Sequence, residues 1–289
     1  MSHTRTFILA TVLAVALANP VDVHIAALNE LLDEKIEAHV ERVTKAGFAA
    51  PVYKEVGVIS EYSVENEAAF EVAFRADAIA AADASGIQAF GAARAPSGGK
   101  YIIWERYSVA ASSPVTTSIS HVQTARAAAS SVAMEPIVFD LDPNLGYTSR
   151  LPSEHAVGSV IGFAACHFPS DTNVQKWLDI TSSVATYFAG YERDGLIYTA
   201  GRALTGGPGT DAKGEATAVA TGDLMFLASY KSIEASKAHD DGQVHKGLTD
   251  AYGANGLNGV NGVGGYSCQI WKSSSAPSFV VIDGGFWAK

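Results

Sequence analysis

Cysteine is scarce in this chain, which has only Cys166 and Cys268 among its 289 residues. Neither cysteine belongs to a CxxC pair or to a Cys/His finger, so the sequence argues against the common structural zinc sites. A single disulfide between the two cysteines is compatible with the sequence but is not required by it.

Positive charge is also sparse. The chain has 20 Lys and Arg residues against 30 Asp and Glu residues, a net charge of −10, and the basic residues form no run. Because phosphate binding needs clustered positive charge, nucleic acid is not an expected partner. The motifs GxSxG, GxGxxG, HExxH and the P-loop are missing as well, which removes the usual support for common hydrolases, nucleotide enzymes and zinc proteases.

Long apolar runs are lacking, and Phe7–Leu17 is too short to cross a membrane as a helix. No membrane partner is therefore expected. The run fits a buried first strand, because an amphipathic helix pattern follows it at once. It also fits a secretory signal peptide, since Arg5 precedes it and Ala16-Leu17-Ala18 offers a cleavage pattern. We favour the strand and a cytoplasmic protein; a cleaved signal peptide over residues 1–18 would make the protein secreted.

What the chain does contain is enough apolar sequence for a substantial core. Apolar residues make up 48% and charged residues 17% of the chain, which is typical of folded domains. Helical spacing and short β-rich runs alternate along it. The predicted helices cover 21–45, 68–84, 174–187 and 233–251, and the predicted strands cover 52–62, 101–109, 157–168, 196–204, parts of 216–230 and 266–272.

Two short stretches recur in the two halves of the chain. Ser60-Glu61-Tyr62-Ser63 is similar to Ala228-Ser229-Tyr230-Lys231, and Ile103-Trp104-Glu105 is similar to Ile270-Trp271-Lys272. This pattern predicts a duplicated β-α-β-β-α-β unit, which is a ferredoxin-like arrangement. We predict an α+β fold with one unit at 1–112, a linker at 113–155 and a second unit at 156–289. The two tandem units would pack their sheets face to face as an internal, dimer-like α+β barrel.

The second half resembles the dimeric α+β barrel superfamily, especially the antibiotic biosynthesis monooxygenase-like and stress-responsive A/B barrel domains. The strand Phe226–Tyr230 followed by a polar helix with Ala238-His239 and His245 carries the resemblance. The resemblance implies a small monooxygenase-like enzyme that acts on an apolar or aromatic molecule in a barrel cavity, either without a cofactor or with haem. The alternative is a non-catalytic ligand-binding or stress-associated barrel protein.

The candidate site residues follow from this resemblance and from their positions on the predicted strands. His245 is the candidate catalytic residue, as a general base or a haem ligand. Candidate substrate-binding residues are aromatic or histidine side chains that would line a cavity, unless they simply pack in the core: Tyr198, Tyr230, Trp271, His167 and Trp104. His239 and His245 are six residues apart, so on one continuous helix they would not share a face, and no metal site is expected.

Overall fold

The computed structural model describes residues 53–142, 157–191, 194–210, 216–257, 267–270 and 279–286. All of them belong to one compact unit, residues 52–289. The apolar run near the N-terminus, the helix predicted at 21–45 and Trp271 lie outside the described residues. No helix in the described ranges is both long and apolar enough to span a membrane.

Most strands and helices lie where the sequence pattern predicts them, but the strands at 87–94 and 131–141 were not predicted. The strands are β1 (Tyr53–Ser63), β2 (Ile87–Arg94), β3 (Lys100–Ala110), β4 (Ser131–Leu141), β5 (Val160–His167), β6 (Gly195–Ala203), β7 (Gly207–Thr210), β8 (Ala216–Val219), β9 (Leu224–Tyr230), β10 (Ser267–Ile270) and β11 (Phe279–Val281). The helices are α1 (Glu67–Asp83), α2 (Thr124–Ala128), α3 (Asp171–Tyr191), α4 (Ile233–Asp240) and α5 (Gln243–Ala254).

The strand order confirms the predicted fold class. The first four strands lie in the order β2-β3-β1-β4, and the second set lies in the order β6-β9-β5-β10. All pairings are antiparallel, and each set has the order that a ferredoxin-like β-α-β-β-α-β unit requires. The short hairpin β7–β8 is an insertion in the second unit.

The two units join into a closed ring. β4 pairs with β6 on one side, while β11 pairs with both β5 and β2 on the other. Since β5 also pairs with β9, the ring has no open edge between these strands. The two sheets thus face one another across a shared interior, which is the internal α+β barrel expected from the sequence.

The segment predicted as a linker, 113–155, instead contains helix α2 and an 11-residue barrel strand, β4. Its prolines suggested a connection, since proline lacks the N–H that a central strand donates. Pro136 is accommodated because the register of β4 against β1 shifts between the pairs made by Ile59 and Glu61. The first unit therefore includes β4.

The strand order also changes which residues of the two halves correspond. Tyr62 ends β1, the first strand of its unit, whereas Tyr230 ends β9, the third strand of its unit. Likewise, Trp104 lies in the third strand, while the sequence around Trp271 follows β10, the fourth. The short sequence similarities therefore do not mark equivalent places in the fold.

Alternate residues of the strands divide the core into an interior and two outer layers. The interior cluster includes Ile59, Trp104, Phe139, Phe163 and Leu227. Outside the barrel, α1 packs Phe70 and Phe74 on the first sheet, and α3 and α5 pack Trp177 and Tyr252 on the second. In the described part of the barrel, both faces of the sheet are thus covered by packed side chains, as a sheet with two apolar faces requires.

One carboxylate lies in this apolar interior. Glu61 is fully buried on β1 and shares the interior side of that strand with Ile59. Its Oε1 lies 3.5 Å from Nζ of the half-exposed Lys100. Burial raises the pKa of Glu61 above its ordinary value of 4.5, and the Lys100 charge offsets only part of that effect.

We expect Glu61 to make the protein less stable as the pH rises. Above pH 4.5 the unfolded chain releases the Glu61 proton, while the native state keeps it until the raised pKa is reached. The stability contributed by the neutral carboxyl is therefore lost as the pH rises through this window. Glu61→Gln, which stays neutral, should flatten this part of the pH dependence in urea unfolding; an unchanged slope would contradict the assignment, and the exposed Glu65→Gln serves as the control.

Candidate functional site

In the described part of the barrel interior, two aromatic side chains lie over glycines of the neighbouring strands. A Cβ atom at Gly91 would come within 2.0 Å of the Trp104 indole, and a Cβ atom at Gly57 within 2.3 Å of the Phe139 ring. Both glycines are register partners of the residue that covers them. These two rings therefore occupy the space that a ligand would need.

A small cavity of about 40 Å³ remains beside these rings. Its lining includes Gly57, Trp104, Arg106, Phe139 and Thr199. Such a volume holds a few water molecules, because one water needs roughly 10–15 Å³ on this measure. A metabolite site usually needs at least roughly 300 Å³, so an aromatic molecule does not fit into this cavity as it stands.

A histidine–aspartate pair lies at one end of the barrel. His167 ends β5 on the same side of the strand as the interior residues Phe163 and Ala165. Its Nδ1 lies 2.9 Å from Oδ1 of Asp223, whose Oδ2 accepts a 2.8 Å hydrogen bond from the N–H of Ala220. Each oxygen of the Asp223 carboxylate therefore has a hydrogen-bonding partner, and the carboxylate orients the His167 ring through Nδ1.

The accessibility of the two side chains differs sharply. The carboxylate of Asp223 is 7% exposed, whereas the imidazole of His167 is 58% exposed. Because the carboxylate can only accept, Nδ1 of His167 carries the proton and Nε2 keeps its lone pair in the neutral ring. An imidazole oriented by a buried carboxylate is the arrangement of a general base.

An ion pair of Glu55 with Arg106 lies beside the small cavity. Nε of Arg106 donates to Glu55 at 2.9 Å. Arg106 lines the cavity together with Ile197, which pairs with Ser229 and lies level with the start of β5. His167 lies at the other end of β5, so the ion pair is not part of its surroundings. We call His167 and Asp223 the barrel rim.

Three other predicted site residues lie outside the barrel. Tyr198 packs in the outer core under α3 and α5, with its ring 6.4 Å from that of Phe226. Tyr230 faces the same side, and its ring lies 5.2 Å from that of His239. His245 follows on α5. Among the predicted site residues within the described ranges, His167 and Trp104 share the interior side of the barrel.

His239 and His245 come together although they are six residues apart. The predicted helix 233–251 is broken between α4 and α5, at Asp241 and Gly242. The two imidazole rings lie 5.0 Å apart at an angle of 52°. The expectation that these histidines would diverge assumed a continuous helix and is corrected by the break.

The sequence did not predict the buried carboxylate of Glu105 or its hydrogen-bonding partners. Glu105 lies on the outer side of β3 and accepts hydrogen bonds from Ser120 Oγ at 2.5 Å and from the N–H of His121 at 2.7 Å. Tyr107 contacts the same carboxylate and lies 2.8 Å from Nδ1 of His121. Burial raises the pKa of Glu105 despite these donors. The group packs α2 and its preceding loop onto the first sheet, and nothing in the pattern Trp-Glu-Arg signals it.

The surroundings of His245 suit a small cation better than haem. A porphyrin needs apolar side chains over both faces, and its iron needs an axial ligand inside that slot. The His245 ring instead faces the imidazole of His239, and its Nδ1 lies 3.0 Å from the backbone carbonyl of Asp240. We therefore derive no haem-dependent step from these residues.

Comparison with known proteins gives similarity at the level of structures alone. No family model and no curated relative matches the chain. A candidate monooxygenase from Lactobacillus acidophilus NCFM has a TM-score of 0.45 and 13% identity, over 80% of this chain and 100% of that one. An anthrone oxidase-like protein has a TM-score of 0.44 and 10% identity, over 79% and 92%. A candidate chlorite dismutase has a TM-score of 0.45 and 10% identity, over 80% and 96%. The fold assignment above rests on the strand order of this chain itself.

Proposed function

We propose that the protein is a small monooxygenase-like enzyme that oxidises an apolar, aromatic metabolite at the barrel rim without a cofactor. The observation that carries this proposal is the pair of His167 with Asp223, in which an exposed imidazole is oriented by a buried carboxylate. His167 thus replaces His245 as the first candidate for the general base.

The proposed reaction starts with proton abstraction from an acidic carbon next to an aromatic ring. Nε2 of His167 takes the proton, and the Asp223 carboxylate, which accepts the hydrogen bond of Nδ1, stabilises the resulting imidazolium. The carbanion then reacts with molecular oxygen, so that a CH₂ group and O₂ give a C=O group and water.

The filled interior determines where the substrate would bind. The cavity beside Trp104 and Phe139 is about 40 Å³, so the ring of the substrate would lie across the rim rather than inside the barrel. The same filled interior favours the second candidate function, a non-catalytic barrel protein of the ligand-binding or stress-associated kind. The two candidates differ in whether oxygen is consumed.

The test is oxygen uptake with a panel of anthrones and phenols, using the wild type and three variants. We expect His167→Asn to lower kcat/KM about 10²- to 10⁴-fold, the usual contribution of a positioned base. Asp223→Asn should have a smaller effect, with a changed pH profile, because it acts through His167. His245→Gln is the matched control, since it removes a histidine outside the barrel.

Three results would overturn this assignment. Full activity of His167→Asn would exclude His167 as the base. Loss of activity in His245→Gln, with full activity in His167→Asn, would identify His245 as the base, as the sequence predicts. No oxygen uptake by the wild type with any member of the panel would favour the non-catalytic function.

We infer, in addition, that the chain matures in an oxidising compartment. Cys166 is part of a disulfide, and the chain has one other cysteine, Cys268, which is its register partner in β10. Such bonds persist mainly in secreted and periplasmic proteins, which supports the signal peptide at residues 1–18 over the cytoplasmic alternative. Protein from its native source should react with a thiol reagent only after reduction; reaction of both cysteines beforehand would contradict this inference.

A further inference from the structure

The break between α4 and α5 brings three metal-binding side chains to one place on the outside of the barrel. On a continuous helix at 100° per residue, His239 and His245 would point in different directions. Here the chain turns at Gly242, where a Cβ atom would lie 2.9 Å from the carbonyl oxygen of Ala238. Glycine permits this close turn, and the turn places the two imidazoles side by side.

The side chain of Asp240 completes the group. One ligand atom from each of His239, Asp240 and His245 can be chosen so that all three lie within 4.8 Å of one another. Bonds of about 2.0–2.1 Å to a tetrahedral ion would place ligand atoms about 3.3 Å apart. Small side-chain rotations would therefore close the three donors around one ion.

The protein holds both imidazoles in defined positions. Nδ1 of His245 lies 3.0 Å from the carbonyl oxygen of Asp240. Because a carbonyl only accepts, Nδ1 carries the proton and Nε2 keeps a lone pair for a metal, which is how outer partners orient metal-binding histidines. His239 is 8% exposed and packs against the Tyr230 ring at 5.2 Å. The site is therefore partly ordered before an ion arrives.

We propose that His239, Asp240 and His245 form a binding site for one zinc ion or a similar transition-metal cation. Two neutral imidazoles and one carboxylate suit zinc, whereas magnesium and calcium prefer oxygen donors throughout. Three protein ligands leave a fourth position for water or for a ligand atom. Since His239 packs on the end of β9, the ion would link the α4–α5 junction to the barrel wall. The site is separate from the barrel rim and does not depend on the proposed oxidation.

The experiment is a zinc titration of the full chain without a histidine tag, read by competition with a chromophoric chelator. We expect one zinc per chain in the wild type. His245→Gln and Asp240→Asn should each weaken binding roughly 100-fold or more, because even outer-shell changes cost 10- to 100-fold. Substitution by Co²⁺ should give the visible bands of a four-coordinate ion, and these bands should be lost in His245→Gln.

Two matched controls make the outcome decisive. His167→Asn removes another exposed histidine that has a carboxylate partner, and Asp241→Asn removes the neighbouring acidic side chain; both should keep wild-type zinc affinity. Because His239 is buried, the decisive variants are His245→Gln and Asp240→Asn, which change less buried positions. The proposal is overturned if the wild type binds no zinc, if His245→Gln binds it as tightly, or if His167→Asn loses it.

Discussion

Gly201→Ala is expected to destabilise the protein by about 4 kcal/mol or more, which is in the range reserved for severe steric conflicts. Gly201 lies in β6 and pairs with Leu141 of β4. A Cβ atom at this position would come within 1.4 Å of the carbonyl oxygen of Asp140 and 2.5 Å of its carbonyl carbon. Because the obstacle is backbone, no side-chain rotation relieves it, and the two strands must separate.

The consequence is large because β4 and β6 join the two halves of the ring. Their pairing consists of three register pairs, which end at Gly201 with Leu141. The measurement is the urea midpoint and the unfolding temperature of the variant. Gly207→Ala is the matched control, since a Cβ atom there meets nothing within 4 Å. Equal midpoints for the two alanine variants would show that the strands tolerate the added methyl group.

Reduction of the Cys166 disulfide is expected to cost about 2–5 kcal/mol, the usual contribution of a native disulfide. Cys268 is the one other cysteine in the sequence, so a bond within the chain would close a loop from residue 166 to residue 268, and a long loop restricts the unfolded chain strongly. Such a bond would link β10 to β5. In the described part of the chain, β10 has four residues and pairs with β5 alone.

The measurement compares urea unfolding with and without a reductant. The wild type should lose stability when it is reduced. The double variant Cys166→Ala with Cys268→Ala should have the same stability with and without the reductant. This variant also controls for direct effects of the reductant on the rest of the protein. Equal stability of reduced and oxidised wild type would mean that the bond contributes nothing to the folded state.

Local patterns predicted most of the elements, although not β2, because the information for a strand or a helix is contained within a few residues. The helix α1, for example, was predicted from its alanine-rich sequence, and the structure adds its cap, Asn66, whose side chain accepts the N–H of Ala69 at 3.1 Å. β4 was missed because Pro136 argues against a strand unless the bulge that accommodates it is known. The correspondence between the halves was also misjudged, since short similar stretches do not reveal strand order.

The candidate sites depend on contacts that the sequence does not contain. His167 and Asp223 are 56 residues apart and meet only because β5 pairs with β9. His239 and His245 meet because Asp241 and Gly242 separate α4 from α5. The sequence does not reveal this break, because its helical pattern runs on from 233 to 251. The sequence analysis named His167 and both histidines of the helices, but the partner of each became visible only in three dimensions.

The closure of the ring by β11 has a consequence for how the protein folds. This strand has three residues, yet it connects β5 to β2, which lies far away along the chain. Contacts of such long range form slowly, because much chain entropy is lost before any of them stabilises the fold. Until β11 is in place, β2 presents an unpaired edge on which strands of other molecules can add. The pairing of the three-residue strand β11 therefore determines how long a newly made chain exposes the edge of β2 to aggregation.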